Sequence, residues 1–79
     1  MMKVTVNLYA GLEKHLASGK RKGNIIELKE PARVLDLLEK IGIPPEKVAI
    51  IMVNGRHSHF EDRLEENEVV AFFPPLGGG

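Results

Sequence analysis

A chain of 79 residues is enough for one small domain with a limited core. Its 11 basic and 11 acidic side chains cancel, which argues against a broad electrostatic grip on nucleic acid or on an anionic membrane. It has no cysteine, which excludes disulfides, thiolate metal sites and a cysteine nucleophile.

Lys3 to Tyr9 reads as a first strand, because Val4, Val6 and Leu8 alternate with Thr5, Asn7 and Tyr9. A short helix is expected over Gly11 to Ala17, and Ser18 to Gly23 is turn material. Lys20, Arg21 and Lys22 form the one basic run there, read as a solvated loop or, more sharply, as a contact for an acidic partner. Asn24 to Leu28 is expected to pair back on the first strand as an antiparallel hairpin. The clearest helix spans Ala32 to Ile41, with Val34, Leu37, Leu38 and Ile41 on one stripe. Pro31 is placed at its first turn, and Gly42 at its C-cap.

The apolar run Val48 to Val53 is expected to be a buried strand. Asn54-Gly55 marks a tight hairpin leading to a short return strand over Arg56 to His59. Leu64 is expected to plug the core, and Glu68 to Phe73 to form the last strand, ended by Pro74-Pro75. One sheet with one main helix on a single face is an α+β two-layer domain. No apolar leader or membrane-length stretch interrupts this plan, since Lys3, Asn7, Glu13 and Lys14 break every early candidate. These features set the expectations of a cytoplasmic protein, with no membrane partner and no nucleic acid.

The chemistry concentrates at the end. Pro74 and Pro75 hold the backbone extended, and Leu76, Gly77, Gly78 and Gly79 follow. Fully extended, the six residues after Phe73 reach about 20 Å at roughly 3.3–3.6 Å per residue. Such a tail can enter a deep pocket on a partner. Glycine lets a partner's backbone or an ATP phosphate approach closely. The one distinctive group is then the α-carboxylate of Gly79, a poor acyl donor until ATP adenylates it. A sulfur nucleophile can convert the acyl-adenylate to a thiocarboxylate. Nothing on the chain supports stand-alone catalysis: Ser18 and Ser58 lack a nucleophile motif, and no phosphate-binding loop leads into a helix.

Val53-Asn54-Gly55, then Asp62 and Leu64, then Asn67-Glu68-Val69-Val70-Ala71-Phe72-Phe73-Pro74-Pro75 and the terminal Gly-Gly together resemble the MoaD/ThiS family of ubiquitin-like sulfur carriers. They are nearer to the small, MoaD-like subunit of molybdopterin synthase. Where that family carries an acidic-glycine turn, this chain has Glu66-Asn67, and its tail ends in three glycines, as in the thiazole-pathway carrier. The resemblance implies a β-grasp domain over residues 1–73, with about five strands in a mixed sheet and its first and last strands central and parallel. It implies a flexible tail over 74–79 that inserts through Pro74, Pro75, Leu76, Gly77 and Gly78. It also implies activation of Gly79 by a ubiquitin-activating-type adenylyltransferase and docking on the large subunit of molybdopterin synthase, which would hold the catalytic residues. The small subunit would then be a non-catalytic carrier with no bound cofactor. Its only activated forms would be the acyl-adenylate or thiocarboxylate on Gly79. Other readings are a thiazole-pathway carrier, a protein modifier joined through Gly79 to lysines, or a binding-only module.

Partner-facing residues are expected at Tyr9, His57 and Phe73. Tyr9 points outward by strand alternation. The last strand admits both phases, and the resemblance selects Val70 and Phe72 inward with Phe73 outward. His57 and His59, two apart on a strand, would share a face, but a third metal ligand is lacking and no metal is expected. Asp62, Glu65, Glu66 and Glu68 read as a solvated acidic turn.

Overall fold

A computed structural model describes residues 1–75 of the chain. Five strands form one sheet: β1 (Met2–Leu8), β2 (Asn24–Leu28), β3 (Ile50–Val53), β4 (Arg56–His57) and β5 (Val69–Phe73). A single helix, α1 (Val34–Ile41), covers one face. The strand order is β2-β1-β5-β3-β4, with β1 and β5 parallel and every other pair antiparallel.

The alternation in β1 decides which face is covered. Met2, Val4, Val6 and Leu8 are buried, and Val6 and Leu8 are fully so. Register carries this phase across the sheet, because Val6 pairs with Val70 and Leu8 with Phe72. Both partners are fully buried. Val34, Leu37 and Leu38 close the layer from α1, the stripe expected of an amphipathic helix. Leu64 plugs the core as its sequence position suggests, at 3% exposure.

Several boundaries differ from the sequence pattern, each for a local reason. The segment after β1 is a single 3-10 turn, Leu12–His15, rather than a helix over Gly11 to Ala17. It is entered through Ala10 and Gly11, both at positive φ. The main helix begins at Val34, not Ala32. Ala32 instead accepts a hydrogen bond from Leu64 N at 2.8 Å, and Arg33 bridges Arg63. Pro31 therefore precedes the helix rather than occupying its first turn. Gly42 is at φ 94, the left-handed C-cap expected of it.

The first helical N–H groups, which have no intrahelical partner, donate to a loop. Val34 N donates to Asp62 O at 3.0 Å and Leu35 N to Phe60 O at 2.9 Å. Asp62 holds this loop in shape. Its Oδ2 accepts from the Ser58 hydroxyl and from His59 N, each at 2.9 Å. The residue expected to be merely solvated thus organises the turn that receives the helix. The hydrogen bond from Ser58, and then that from His59 N, lower its pKa from the ordinary 3.8. A depressed carboxylate pKa contributes stability above the unfolded-state value, and the contribution is lost as pH falls through the folded-state value. D62N is therefore expected to be less stable than the parent at neutral pH. The two should converge below about pH 4, read as urea midpoints across a pH series.

β3 starts at Ile50, two residues later than the apolar run suggests, because Val48 ends a second 3-10 turn, Pro45–Lys47. It is not buried throughout. Ile51 is buried, Met52 and Val53 are half-buried, and Ile50 is 39% exposed. Asn54 and Gly55 both adopt positive φ, as the tight hairpin requires. Asn54 also ties this hairpin to β5: its N donates to Val69 O at 2.8 Å and its Oδ1 accepts from Val69 N at 2.9 Å. Asn67, standing where a glycine turn is usual, takes φ 68, a conformation asparagine tolerates better than most residues.

Candidate functional site

The uncovered face of the sheet carries apolar side chains among polar ones. Phe73 pairs with Ile50, and Tyr9, one residue past β1, stacks on Phe73, so the three form a row at the end where β1 and β5 both finish. The next row holds Asn7, Ala71, Met52 and His57. Thr5, Val69 and Ile25 lie further down, and Ile25 is 61% exposed.

Tyr9 is held at the end of β1 by the turn after it, where Leu12 N donates to Tyr9 O at 3.1 Å. Phe73 is held by Ala49 N, which donates to Phe73 O at 2.8 Å. The two rings stack with centroids 4.6 Å apart and planes 6° from parallel. Both are half-buried, so each keeps an open edge. Lys22 Nζ lies 6.0 Å from the Tyr9 ring centroid, at the outer limit of a cation–π contact.

His57 shares this face by its pairing with Met52. It lies on the edge strand β4, with β3 between it and β5, and is not grouped with the aromatic pair. His59 does not share its face, because β4 ends at His57 rather than His59. The chain turns there, and His59 Nδ1 lies 3.6 Å from Asp62 Oδ2. No group of three His, Cys, Asp or Glu side chains suited to a metal ion occurs among the described residues.

The pattern did not single out Ile50, Met52, Val69 and Ile25 as part of this face. In the run Val48 to Val53 every residue is apolar, so no alternation marks which side is open. The exposed positions emerge only from the register with β5.

At the rim beyond Phe73, Pro74 is half-buried and Pro75 exposed. They border a cleft of about 270 Å³ shared with Ala10, Leu12, Lys14, His15 and Lys47. The His15 Nε2 is buried with no hydrogen-bond partner among the described residues. The expected tail positions Leu76, Gly77, Gly78 and Gly79 lie outside the described residues. The path of the tail is defined as far as Pro75, where it leaves the same rim that carries the aromatic stack.

The five-stranded mixed sheet with one covering helix is a ubiquitin-like β-grasp. Solved structures share it. A protein of Pyrococcus furiosus, provisionally described as molybdopterin converting factor subunit 1, is 32% identical and superposes with a TM-score of 0.73, over 96% of this chain and 100% of its own. A structure of small archaeal modifier protein 1 from Haloferax volcanii superposes at 0.76 with 18% identity, over 96% of this chain and 100% of its own. Another structure, of SAMP1 from the same organism, gives 0.71 with 19% identity, over 98% of this chain and 99% of its own. These last two share the fold. No protein of curated function matches the chain by sequence. The ThiS family model matches residues 8–79, and the chain belongs to that family. Its class is that of the ThiS/MoaD-type sulfur carriers, a family of small carrier proteins rather than catalysts. No helix among the described residues is long and apolar enough to cross a membrane.

Proposed function

We propose that this protein is a sulfur carrier that serves as the small subunit of molybdopterin synthase. Its Gly79 carboxylate attacks the α-phosphate of ATP, releasing pyrophosphate and leaving an acyl-adenylate. A sulfide-equivalent nucleophile then displaces AMP at the acyl carbon and leaves a thiocarboxylate. A ubiquitin-activating-type adenylyltransferase supplies the activation. The large subunit receives the tail and carries the residues that pass sulfur to the pterin precursor, after which water restores the carboxylate.

The observation that carries this reading is the exit of the chain. β5 runs parallel to β1, and both end at the rim where Tyr9 stacks on Phe73 and Pro74-Pro75 depart. A rigid aromatic anchor beside a glycine-rich tail suits docking first and insertion second. The Pyrococcus furiosus relative's description favours the molybdopterin branch, as does the Phe72-Phe73-Pro74-Pro75 element. Conjugation to lysines is the second reading, favoured by the fold shared with small archaeal modifier protein 1.

The test is the intact mass after incubation with the cognate activating enzyme, ATP and a sulfur donor. A gain equal to exchange of one oxygen for sulfur is expected, and it should vanish when Gly79 is deleted. The charged protein should then support molybdopterin formation when mixed with the large subunit and precursor. No gain, with an activating enzyme proven on a control substrate, overturns the carrier reading. Lysine-linked conjugates in a cell extract would favour the modifier.

A further inference from the structure

Overall neutrality conceals a local gathering of bases at one end of the sheet. The basic run of the β1–β2 connection sits at the tail-exit end, because Leu8 N donates to Arg21 O at 2.7 Å and Lys22 reaches the Tyr9 ring. Lys14 and Lys47, from two separate 3-10 turns, flank Pro74 and Pro75 in the rim cleft. With Lys20 and Arg21, these make five exposed bases around the exit. Glu13 is engaged there, with Oε2 3.4 Å from Arg21 Nε and Oε1 accepting from Gly11 N at 3.0 Å. Glu46 borders the cleft itself.

The far end mixes signs. Asn67 N donates to Lys3 O at 2.8 Å and Thr5 N to Glu68 O at 2.9 Å, which seats Glu65, Glu66 and Glu68 beside the start of β1. Lys3, within 4.0 Å of Glu27, and Arg63, which borders a cleft with Glu65 and Glu66, stand at that same end. The exit end carries five bases against two acids.

We propose that the bases around the tail exit form a docking collar for an acidic protein surface that surrounds the pocket receiving the tail. This rests on the proposed role of the tail for the partner's identity, though not for the gathering of bases. A local excess of bases at that rim raises the rate of productive encounter with an acidic surface. The bases ring an apolar centre, the Tyr9–Phe73 stack, an arrangement that suits a protein surface with an apolar core and a charged rim. A nucleic-acid groove would need bases along a longer track and a net positive charge.

The probe is a poly-glutamate peptide titrated into the full-length protein, with backbone amide shifts followed by NMR. Shifts are expected at Lys14, Lys20, Arg21, Lys22 and Lys47, weakening about tenfold or more between about 50 and about 300 mM salt. The variant K14E/K22E/K47E should lose them. K29E/K40E, altered away from the exit, should keep them. Shifts that are absent, or spread over both ends, overturn the proposal. So does a short single-stranded RNA that saturates the same amides at lower concentration than the peptide. If the triple variant unfolds, K14Q/K22Q/K47Q and the localisation in the parent protein decide the matter. Sulfur gain at Gly79 without localised peptide binding removes the collar alone, whereas localised binding without sulfur gain removes the carrier reading alone.

Discussion

Replacing Phe72 by alanine is expected to cost about 3–5 kcal/mol, the usual range for emptying a buried aromatic site. Phe72 is fully buried and lies on β5, between Leu8 of β1 and Ile51 of β3. For a domain of this size the total stability is about 4–12 kcal/mol, so the loss is a large share of it. Thermal unfolding followed by circular dichroism should show a midpoint lower by about 15–30 °C. F73A is the comparison. It lies one residue on, faces the open side of the sheet, and gives up the stack with Tyr9 rather than a core position. Its cost should stay below about 1.5 kcal/mol. Equal costs for the two variants would overturn the assignment of faces along β5.

The second large effect concerns docking. F73D puts a carboxylate at the centre of the aromatic anchor, beside the departing tail. If this patch meets the activating enzyme, the KM for thiocarboxylation should rise about 30-fold or more, the cost of losing an interface anchor worth about 2 kcal/mol. The kcat should change little, since the reacting carboxylate lies beyond Pro75 and not on Phe73. L35D is the control. Leu35 is 43% exposed on the helix side, so a charge there should leave the KM near that of the parent. A matching rise in L35D would mean that F73D acts through general disturbance. An unchanged KM in F73D would remove the sheet face from the interface.

Much of the architecture was legible where a pattern had one solution. The alternation of Val4, Val6 and Leu8 against polar neighbours fixes the covered face of β1, because only one phase buries apolar side chains without burying Thr5 and Asn7. The stripe on α1 and the glycine after it define a helix and its end. Asn54-Gly55 announces its hairpin, because few residues tolerate positive φ twice in succession. The glycine tail is likewise visible as residue chemistry.

Other features depended on contacts between distant segments. The start of α1 is set by the carbonyls of Phe60 and Asp62, which receive its first N–H groups. No local propensity near Ala32 encodes them. The open side of β3 depends on pairing with β5, since an unbroken apolar run carries no phase of its own. Asp62 reads as a solvated acid until Ser58 and His59 are brought to it. The gathering of bases at the exit rim is also absent from the composition. Residue pattern alone was enough for an α+β domain with one helix, for the covered face of β1 and for a proline-and-glycine tail. That Lys14 and Lys47 flank Pro74 and Pro75, with Lys22 over the neighbouring Tyr9 ring, came from the folded arrangement. Side-chain periodicity is a local property of the backbone, whereas the grouping of surface charges depends on which turns the strand order brings to the same rim.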